Sequence, residues 1–206
     1  MSLLVCYKKD KITHFLNDSG HSAGQNKVVL SEKFNINVWI PKDDPEAIIA
    51  ATGPIRDRQV LRNIEKLTKN YSKEIRHFNM EYMYNRAIPM IQKAMYHNRF
   101  VNPDEPYSSE TEILISKKNH TYFITHKAGC YEFDGIDGLG DVSVDVCGLV
   151  DKSKEPLPAL LQAVLEIKDS VVNIEFPLIY INSKDREFIT IDEDEARKII
   201  KESEGK

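Results

Sequence analysis

The sequence predicts an α+β fold in which antiparallel sheets carry helical layers. Short apolar segments typical of β-strands come in blocks, and short charged or glycine-containing turns of the kind that link antiparallel strands join them. Segments with helical spacing of apolar residues stand between these blocks instead of alternating with single strands. A doubly wound parallel sheet would need that alternation, so the pattern favours antiparallel sheets.

The first four strands are predicted as two pairs. Residues 3–7 and 12–16 are apolar runs on either side of a charged turn, which indicates a hairpin. In residues 34–40 apolar and polar side chains alternate, and the apolar run 47–52 follows a loop that contains Pro41. The chain is therefore expected to begin inside a sheet.

Two helices are predicted next, over residues 57–70 and 78–97. The second carries a stripe of methionine, isoleucine and alanine on one side, and Pro89 is expected to bend it. A methionine stripe could line a groove for a cofactor or a partner, but core packing is the preferred interpretation because unbranched methionine fills irregular gaps. The stripe comprises Met83, Ala87, Met90, Ile91, Ala94 and Met95.

The second half of the chain is predicted to return to strands and to end in a helix. The final helix is marked by a capping box, in which Asp192 precedes Glu195 by three residues. The other predicted elements are strands at 112–116, 122–126, 130–133 and 142–146, a helix at 158–168, and strands at 174–181 and 187–191.

Length and composition indicate an ordinary globular protein. The chain has 206 residues, and no linker divides it, so one domain over residues 1–206 is expected. With 28 basic and 32 acidic side chains its net charge is -4, so we expect no nucleic-acid partner. No apolar run approaches the roughly 20 residues of a membrane span.

The cysteines indicate the redox environment of the chain. There are three of them, an odd number, and no two have C-x-x-C spacing: Cys6, Cys130 and Cys147. No export signal is visible either, so we expect reduced thiols in a cytoplasmic protein.

Three residues near the start of the chain have the chemistry of an amide-hydrolysing site. Ser2 follows the initiator Met1, and removal of Met1 would leave a hydroxyl nucleophile and its own amine base on one residue. Asp18 closes the second predicted strand, and Lys33 precedes the third. A lysine beside a nucleophile lowers the effective pKa of its hydroxyl, and an aspartate holds that lysine in place. The alternatives are turn chemistry for Asp18 and a surface cation for Lys33.

The first half of the chain resembles a proteasome β-type or HslV-like subunit of the N-terminal-nucleophile (Ntn) hydrolase superfamily. The matching features are Ser2, the turn Asp18-Ser19-Gly20, Lys33 at the opening of the third strand, and a strand that runs into Gly53 shortly before Asp57. The C-terminal strands, the charged turn between them and the acidic helix start at Asp192 are also similar to that family.

This resemblance implies a four-layer αββα sandwich and an N-terminal-nucleophile peptidase. Ser2 would attack the peptide carbonyl, Lys33 would activate it electrostatically, and Asp18 would be the partner of Lys33. The backbone N–H of Gly53 would donate to the oxyanion. The family needs neither a cofactor nor a metal, and it implies a homo-oligomeric ring, peptide substrates and an ATP-dependent unfoldase as a possible partner.

The sequence departs from the family in four respects. Serine replaces the usual threonine nucleophile, and Leu139 stands where a glycine-serine-glycine turn would supply a second hydroxyl. Neither Gly138-Leu139-Gly140 nor Cys147-Gly148 supplies that group, and the span 148–172 leaves one of two expected helices short or absent. Asp169-Ser170 is a compressed form of the Asp-x-x-Ser motif that usually follows the second of these helices in the family. Two other interpretations therefore stay open: an inactive ring or scaffold subunit, and a small-molecule amidase on the same fold.

Metal sites have little support in the sequence. Asp134, Asp137, Asp141 and Asp145 recur in a glycine-rich segment, but Ile136 occupies a position where a calcium loop needs an oxygen ligand. The six histidines show no metal-binding spacing. A strand connection is the preferred interpretation of this segment.

Overall fold

The computed structural model describes residues 3–18, 20–23, 26–29, 37–69, 77–97, 111–125, 129–139, 143–170 and 174–205. Its strands are β1 Leu4–Lys9, β2 Ile12–Asp18, β3 Gly20–Ala23, β4 Asn26–Val29, β5 Val38–Trp39, β6 Ala47–Thr52, β7 Glu112–Lys117, β8 His120–Ile124, β9 Cys130–Glu132, β10 Gly135–Leu139, β11 Leu178–Asn182 and β12 Ile189–Ile191. Its α-helices are α1 Ile55–Arg62, α2 Met80–Tyr82, α3 Ile88–His97, α4 Ser143–Leu149, α5 Pro156–Ser170 and α6 Glu193–Glu204, and a π-helical turn spans Met83–Ala87.

The chain divides into two compact units. The first comprises Met1–Asn35 and Asp134–Lys206, and the second comprises Ile36–Phe133. Each unit contains one antiparallel five-stranded sheet with helices of its own. The predicted class, α+β with antiparallel sheets flanked by helices, is confirmed. The prediction of a single domain over residues 1–206 stays a prediction.

In the first unit the sheet runs in the order β10-β1-β2-β11-β12. Side chains of β1, β2, β11 and β12 form one buried cluster with α4, α5 and α6, so these helices lie on one face of the sheet. Its most central members include Leu16, Leu160 and Leu178, which are fully buried. In the same unit β3 and β4 pair as a separate two-stranded sheet, which was not predicted from the sequence.

In the second unit the sheet runs in the order β5-β6-β7-β8-β9. Its helix-facing side chains pack with α1, α2, the π-helical turn and α3. The predicted strands at 47–52 and 112–116 agree with β6 and β7, whereas residues 34–36 of the predicted third strand lie outside the described ranges.

The N-terminal hairpin agrees with its prediction. β1 and β2 pair antiparallel from Leu4 opposite Asn17 to Lys9 opposite Ile12. The two turn residues, Asp10 and Lys11, have φ of 51° and 68°, the left-handed conformation that matches the twist of a two-residue hairpin. This local turn brings Asp18, at the end of β2, back to the start of β1.

The methionine stripe packs in the core, as its preferred interpretation required. Met83 and Met95 are almost completely buried in the second unit's cluster, together with Ala87 and Ile91. A π-helical turn, Met83–Ala87, ends two residues before Pro89, and the bend predicted at this proline stays a prediction. Proline lacks an N–H and crowds the carbonyl four residues earlier, and a wider turn relieves both.

The first predicted helix is shorter than expected. α1 ends at Arg62, and residues 65–68 form turns where the helix was predicted to continue, while residue 70 lies outside the described ranges. The backbone N–H of Lys66 donates to Asp43 Oδ2 at 2.7 Å, and the Thr68 hydroxyl donates to Asp44 Oδ2 at 2.6 Å. These bonds to the β5–β6 loop hold the chain out of the helical path, and the sequence periodicity did not reveal them.

The predicted strand at 142–146 is wrong. Residues from Ser143 to Leu149 form α4, and the described strand in this region is β10, where the sequence analysis expected a strand connection. Three alternating valines suggested a strand, but Ser143 and Val146 are buried while Val144 is 69% exposed, which is helical spacing. α4 lies almost entirely before the span 148–172, so the expectation that one of two helices in that span is short or absent stays a prediction.

The last two helices are close to their predicted positions. α5 begins at Pro156 and so contains the predicted span 158–168. α6 begins after Asp192, whose carboxylate accepts the Glu195 N–H at 2.8 Å. This bond confirms the predicted N-terminal cap.

Candidate functional site

Two of the four predicted site residues, Asp18 and Gly53, lie in the described part of the chain, and Asp18 lies beside the start of β1. Asp18 ends β2 in the first unit. Gly53 follows β6 in the second unit. Ser2 and Lys33 lie outside the described residues, so their predicted roles stay predictions.

Asp18 is bonded to the backbone one residue after Ser2. Its Oδ1 accepts the Leu3 N–H at 3.0 Å, and its own backbone N–H donates to the Leu3 carbonyl at 3.2 Å. The Asp18 residue is only 2% exposed. The carboxylate therefore fixes the backbone at the N-terminal end of β1, and this contact arises because β1 and β2 are adjacent strands of one hairpin.

Burial raises the pKa of Asp18 from 3.8 to about 7, and the hydrogen bond from the Leu3 backbone opposes this shift only in part. Removal of a carboxylate from water disfavours its charged form. An acid with a pKa near 7 exchanges its proton close to neutral pH, where a catalytic group would need to do so.

The raised pKa of Asp18 makes the free energy of unfolding depend on pH. Between about pH 4 and 7 the folded state keeps a proton that the unfolded state has released, so stability falls as pH rises through this window, by on the order of 4 kcal/mol. We expect Asp18→Asn to remove this part of the slope, as measured by urea unfolding at pH 5, 6, 7 and 8. Asp145→Asn, an exposed substitution on α4, is the control and should keep the wild-type slope. Equal slopes in wild type and Asp18→Asn would contradict the prediction.

A second buried side chain, Ser143, holds the next amide of β1. The Leu4 N–H donates to Ser143 Oγ at 3.2 Å, and this hydroxyl donates in turn to the Leu139 carbonyl at 2.6 Å. Ser143 is completely buried at the first residue of α4. Sequence reasoning missed it because residues 142–146 were assigned to a strand.

The first turn of α4 lies directly against β10. A Cβ added at Gly138 would be 2.2 Å from Ser143 Cβ and 2.8 Å from the Ser143 carbonyl carbon and oxygen. No side chain fits at such a distance, so glycine at 138 is a condition for the position of Ser143.

Gly53 has a backbone conformation that suits its predicted role in the second unit. Its φ is 120°, a region that other residues rarely adopt. The strand before it is fixed on both sides, since β6 pairs with β5 and with β7. Donation of its N–H to an oxyanion stays a prediction.

His14 is a half-buried titratable group of the first unit. Its Nδ1 lies 2.6 Å from the Tyr180 hydroxyl, and burial lowers the pKa of His14 to about 4 and raises the pKa of Tyr180 to about 12. Both groups are therefore uncharged at neutral pH, and they share one hydrogen bond. The pair links β2 to β11 and is structural.

The described part of the chain has neither a cluster of metal-ligating side chains nor a membrane-spanning helix. Within these ranges no three His, Cys, Asp or Glu side chains are grouped so as to hold a metal ion. None of the helices there has both the length and the apolar character needed to cross a membrane.

Similarity to known proteins is visible in structure and not in sequence. No family model matches the chain, and no curated protein matches it in sequence. Anbu, an ancestral β-subunit from Yersinia bercovieri, is 12% identical with a TM-score of 0.69, over 98% of this chain and 93% of that one. BPH from Thiobacillus denitrificans is 14% identical with a TM-score of 0.65, over 88% and 97%. The eukaryotic HslV from Trypanosoma brucei is 12% identical with a TM-score of 0.57, over 88% and 98%.

These three structures have the proteasome-like Ntn hydrolase fold, and the present chain has it too. The predicted resemblance to proteasome β-type and HslV-like subunits is thereby confirmed for the fold. The identities are too low to transfer an activity, so function has to be argued from the residues of this chain.

Proposed function

We propose that the chain is a peptide-bond hydrolase of the N-terminal-nucleophile type, with Ser2 as the nucleophile after removal of Met1. The observation that carries this proposal is the bond from the Leu3 N–H to the buried Asp18 carboxylate, because it fixes the backbone directly after Ser2. The proteasome-like fold supports the same proposal.

The proposed reaction proceeds through an acyl-enzyme. The Ser2 hydroxyl attacks the peptide carbonyl as its proton passes to the free α-amine of the same residue, and the new C–O bond gives a tetrahedral oxyanion. The protonated amine then gives this proton to the leaving nitrogen as the C–N bond breaks and the ester forms. Water, deprotonated by the same amine, hydrolyses the ester, which releases the acid and restores the Ser2 hydroxyl. Lys33 lowers the effective pKa of the hydroxyl, Asp18 orients the site, and the Gly53 N–H stabilises the oxyanion.

The test is hydrolysis of fluorogenic peptides by protein prepared with Ser2 at its N-terminus. Ser2→Ala should lower kcat/KM by at least about a thousandfold, since it removes the nucleophile. Lys33→Ala should also lower it, whereas Ser153→Ala, an exposed substitution, should not. Unchanged hydrolysis in both Ser2→Ala and Lys33→Ala would overturn the assignment.

Covalent labelling gives an independent reading of the same site. Epoxomicin is present in a complex with the Thiobacillus denitrificans BPH. After incubation with epoxomicin, we expect the intact mass of the Ser2-terminated protein to increase by one inhibitor adduct and the mass of Ser2→Ala to stay unchanged. Retention of Met1 in cells, together with no labelling, would count against the peptidase.

The proposal extends to assembly. Anbu from Pseudomonas aeruginosa forms a helical assembly. For this chain we propose a homo-oligomer, in the first instance a ring, with an ATP-dependent unfoldase as a possible partner that supplies unfolded peptide. Native mass spectrometry of the purified chain tests the oligomer, and a monomer at micromolar concentration would contradict it.

The non-catalytic alternative is favoured by one observation. Leu139 is fully buried where the family resemblance would place a serine hydroxyl. A processed protein that forms oligomers but neither hydrolyses peptides nor takes the label would be such a scaffold subunit. Hydrolysis confined to small amides would instead indicate an amidase.

A further inference from the structure

The N-terminal end of β1 is held by two side chains, one from the adjacent strand β2 and one from α4 in the second half of the chain. Asp18 accepts the Leu3 N–H, and Ser143 accepts the Leu4 N–H, 139 residues away along the chain. Successive amides of a strand point to opposite edges. The two bonds therefore restrain β1 from both sides, directly after the residue that carries the proposed nucleophile.

The Ser143 hydroxyl acts as a bridge between two strands. It accepts from the Leu4 N–H and donates to the Leu139 carbonyl, and Leu4 and Leu139 are opposite each other in the β1–β10 pair. One hydroxyl has a donor and two acceptor positions, so it serves both backbone groups at once. The end of the β1–β10 pair therefore depends on this side chain.

The bridge is fixed in place by packing. Ser143 is completely buried, and its Cβ lies so close to Gly138 that no residue other than glycine fits at position 138. The hydroxyl cannot be exchanged for water without opening this contact. A rigid support of this kind is what a reacting group needs, because small displacements of a nucleophile cost large factors in rate.

We propose that Ser143 is a positioning residue for Ser2. It acts through the backbone of Leu4 and so restrains the strand β1 that follows Ser2. The inference rests on the proposed function, because positioning has catalytic meaning only if Ser2 reacts. Ser143 itself is assigned no contact with substrate.

Peptide hydrolysis by the Ser2-terminated full chain tests this proposal. Ser143→Ala should lower kcat by about 10- to 100-fold because the nucleophile is displaced while the substrate-binding walls are kept. KM should stay within about twofold, since uniform binding is retained. Hydrogen exchange of the Leu4 amide should become faster in the same variant.

The matched control is Ser116→Ala in β7. Ser116 is 1% exposed and accepts a hydrogen bond from Thr121 Oγ1 at 3.0 Å, so this substitution also removes a buried hydroxyl from a sheet. It should leave kcat within about twofold, since it belongs to the second unit's sheet and not to the β1 support. Ser143→Cys is a second variant if alanine prevents folding. The thiol fills the position but hydrogen-bonds weakly, so kcat should again fall.

The outcomes separate the two proposals. If the wild type is active and Ser143→Ala or Ser143→Cys matches Ser116→Ala in kcat, the positioning role is overturned and the peptidase stands. If the Ser2-terminated wild type neither hydrolyses peptides nor takes the covalent label, the proposed function fails and this inference fails with it. A loss of kcat confined to the Ser143 variants supports both.

Discussion

Replacement of Gly138 by alanine is expected to destabilise the protein by about 3 kcal/mol or more and to lower the thermal midpoint by about 6–12 °C. The added Cβ would lie 2.2 Å from Ser143 Cβ, and the atoms next nearest to it belong to the Ser143 backbone. Backbone does not rotate away as the end of a long side chain does, so the first turn of α4 would have to separate from β10. Differential scanning calorimetry measures the shift.

The control for Gly138→Ala is Gly148→Ala. Gly148 is an exposed residue of the same helix α4, and nothing lies within 4 Å of a Cβ added there. Alanine favours a helix over glycine by up to about 1 kcal/mol, so this variant should be as stable as the wild type or slightly more stable. If the two variants lose stability equally, the close approach of α4 to β10 is wrong.

Lys117→Met is expected to lower the free energy of unfolding by about 3–5 kcal/mol. Lys117 Nζ lies 2.7 Å from Asp44 Oδ2 and also donates to the Thr68 carbonyl at 2.9 Å. The Asp44 side chain is 4% exposed, and it also accepts a hydrogen bond from the Thr68 hydroxyl. Loss of the ammonium would leave this carboxylate buried without an opposite charge, which costs more than the ion pair contributes.

Urea unfolding of four variants tests this expectation: Lys117→Met, Asp44→Asn, their double variant and Lys118→Met. Lys118→Met changes an exposed neighbour and should stay within about 0.5 kcal/mol of the wild type. The double variant Asp44→Asn with Lys117→Met should regain part of the lost stability, because the uncompensated charge is gone. A double variant with the summed losses of its single substitutions would show that the two groups are independent.

Local features of the fold could be predicted from the sequence. The β1–β2 hairpin follows from two apolar runs around four charged residues, and the cap of α6 follows from Asp192 and Glu195. Each depends on residues within a few positions of one another, so a short stretch of sequence is enough to indicate it. The burial of Met83 and Met95 was predictable for the same reason, since helical spacing already places them on one face.

Features that depend on distant contacts were missed. α1 ends early because Asp43 and Asp44 bond residues beyond it, and no pattern within the helix records those bonds. Alternating valines favoured a strand at 142–146, yet packing of Ser143 against Gly138 selects a helix. In both places tertiary contacts override a local preference, which is worth at most about 1 kcal/mol per residue.

The candidate site shows the same division. Asp18 was predicted from its place at the end of β2, and the hairpin alone brings it to Leu3. Ser143 was not predicted, because the distance of 139 residues between it and Leu4 is closed only when β10 and α4 fold against β1.

The sequence by itself determined the α+β class, the N-terminal hairpin with Asp18 at its end, and the chemistry available at Ser2 and Lys33. Only the tertiary structure decided which buried groups hold the start of β1 and how close α4 comes to β10. The physical reason is that strand periodicity and helix caps are encoded over a few residues, whereas a hydroxyl shared by two strands and a helix is positioned by packing among segments far apart in the chain.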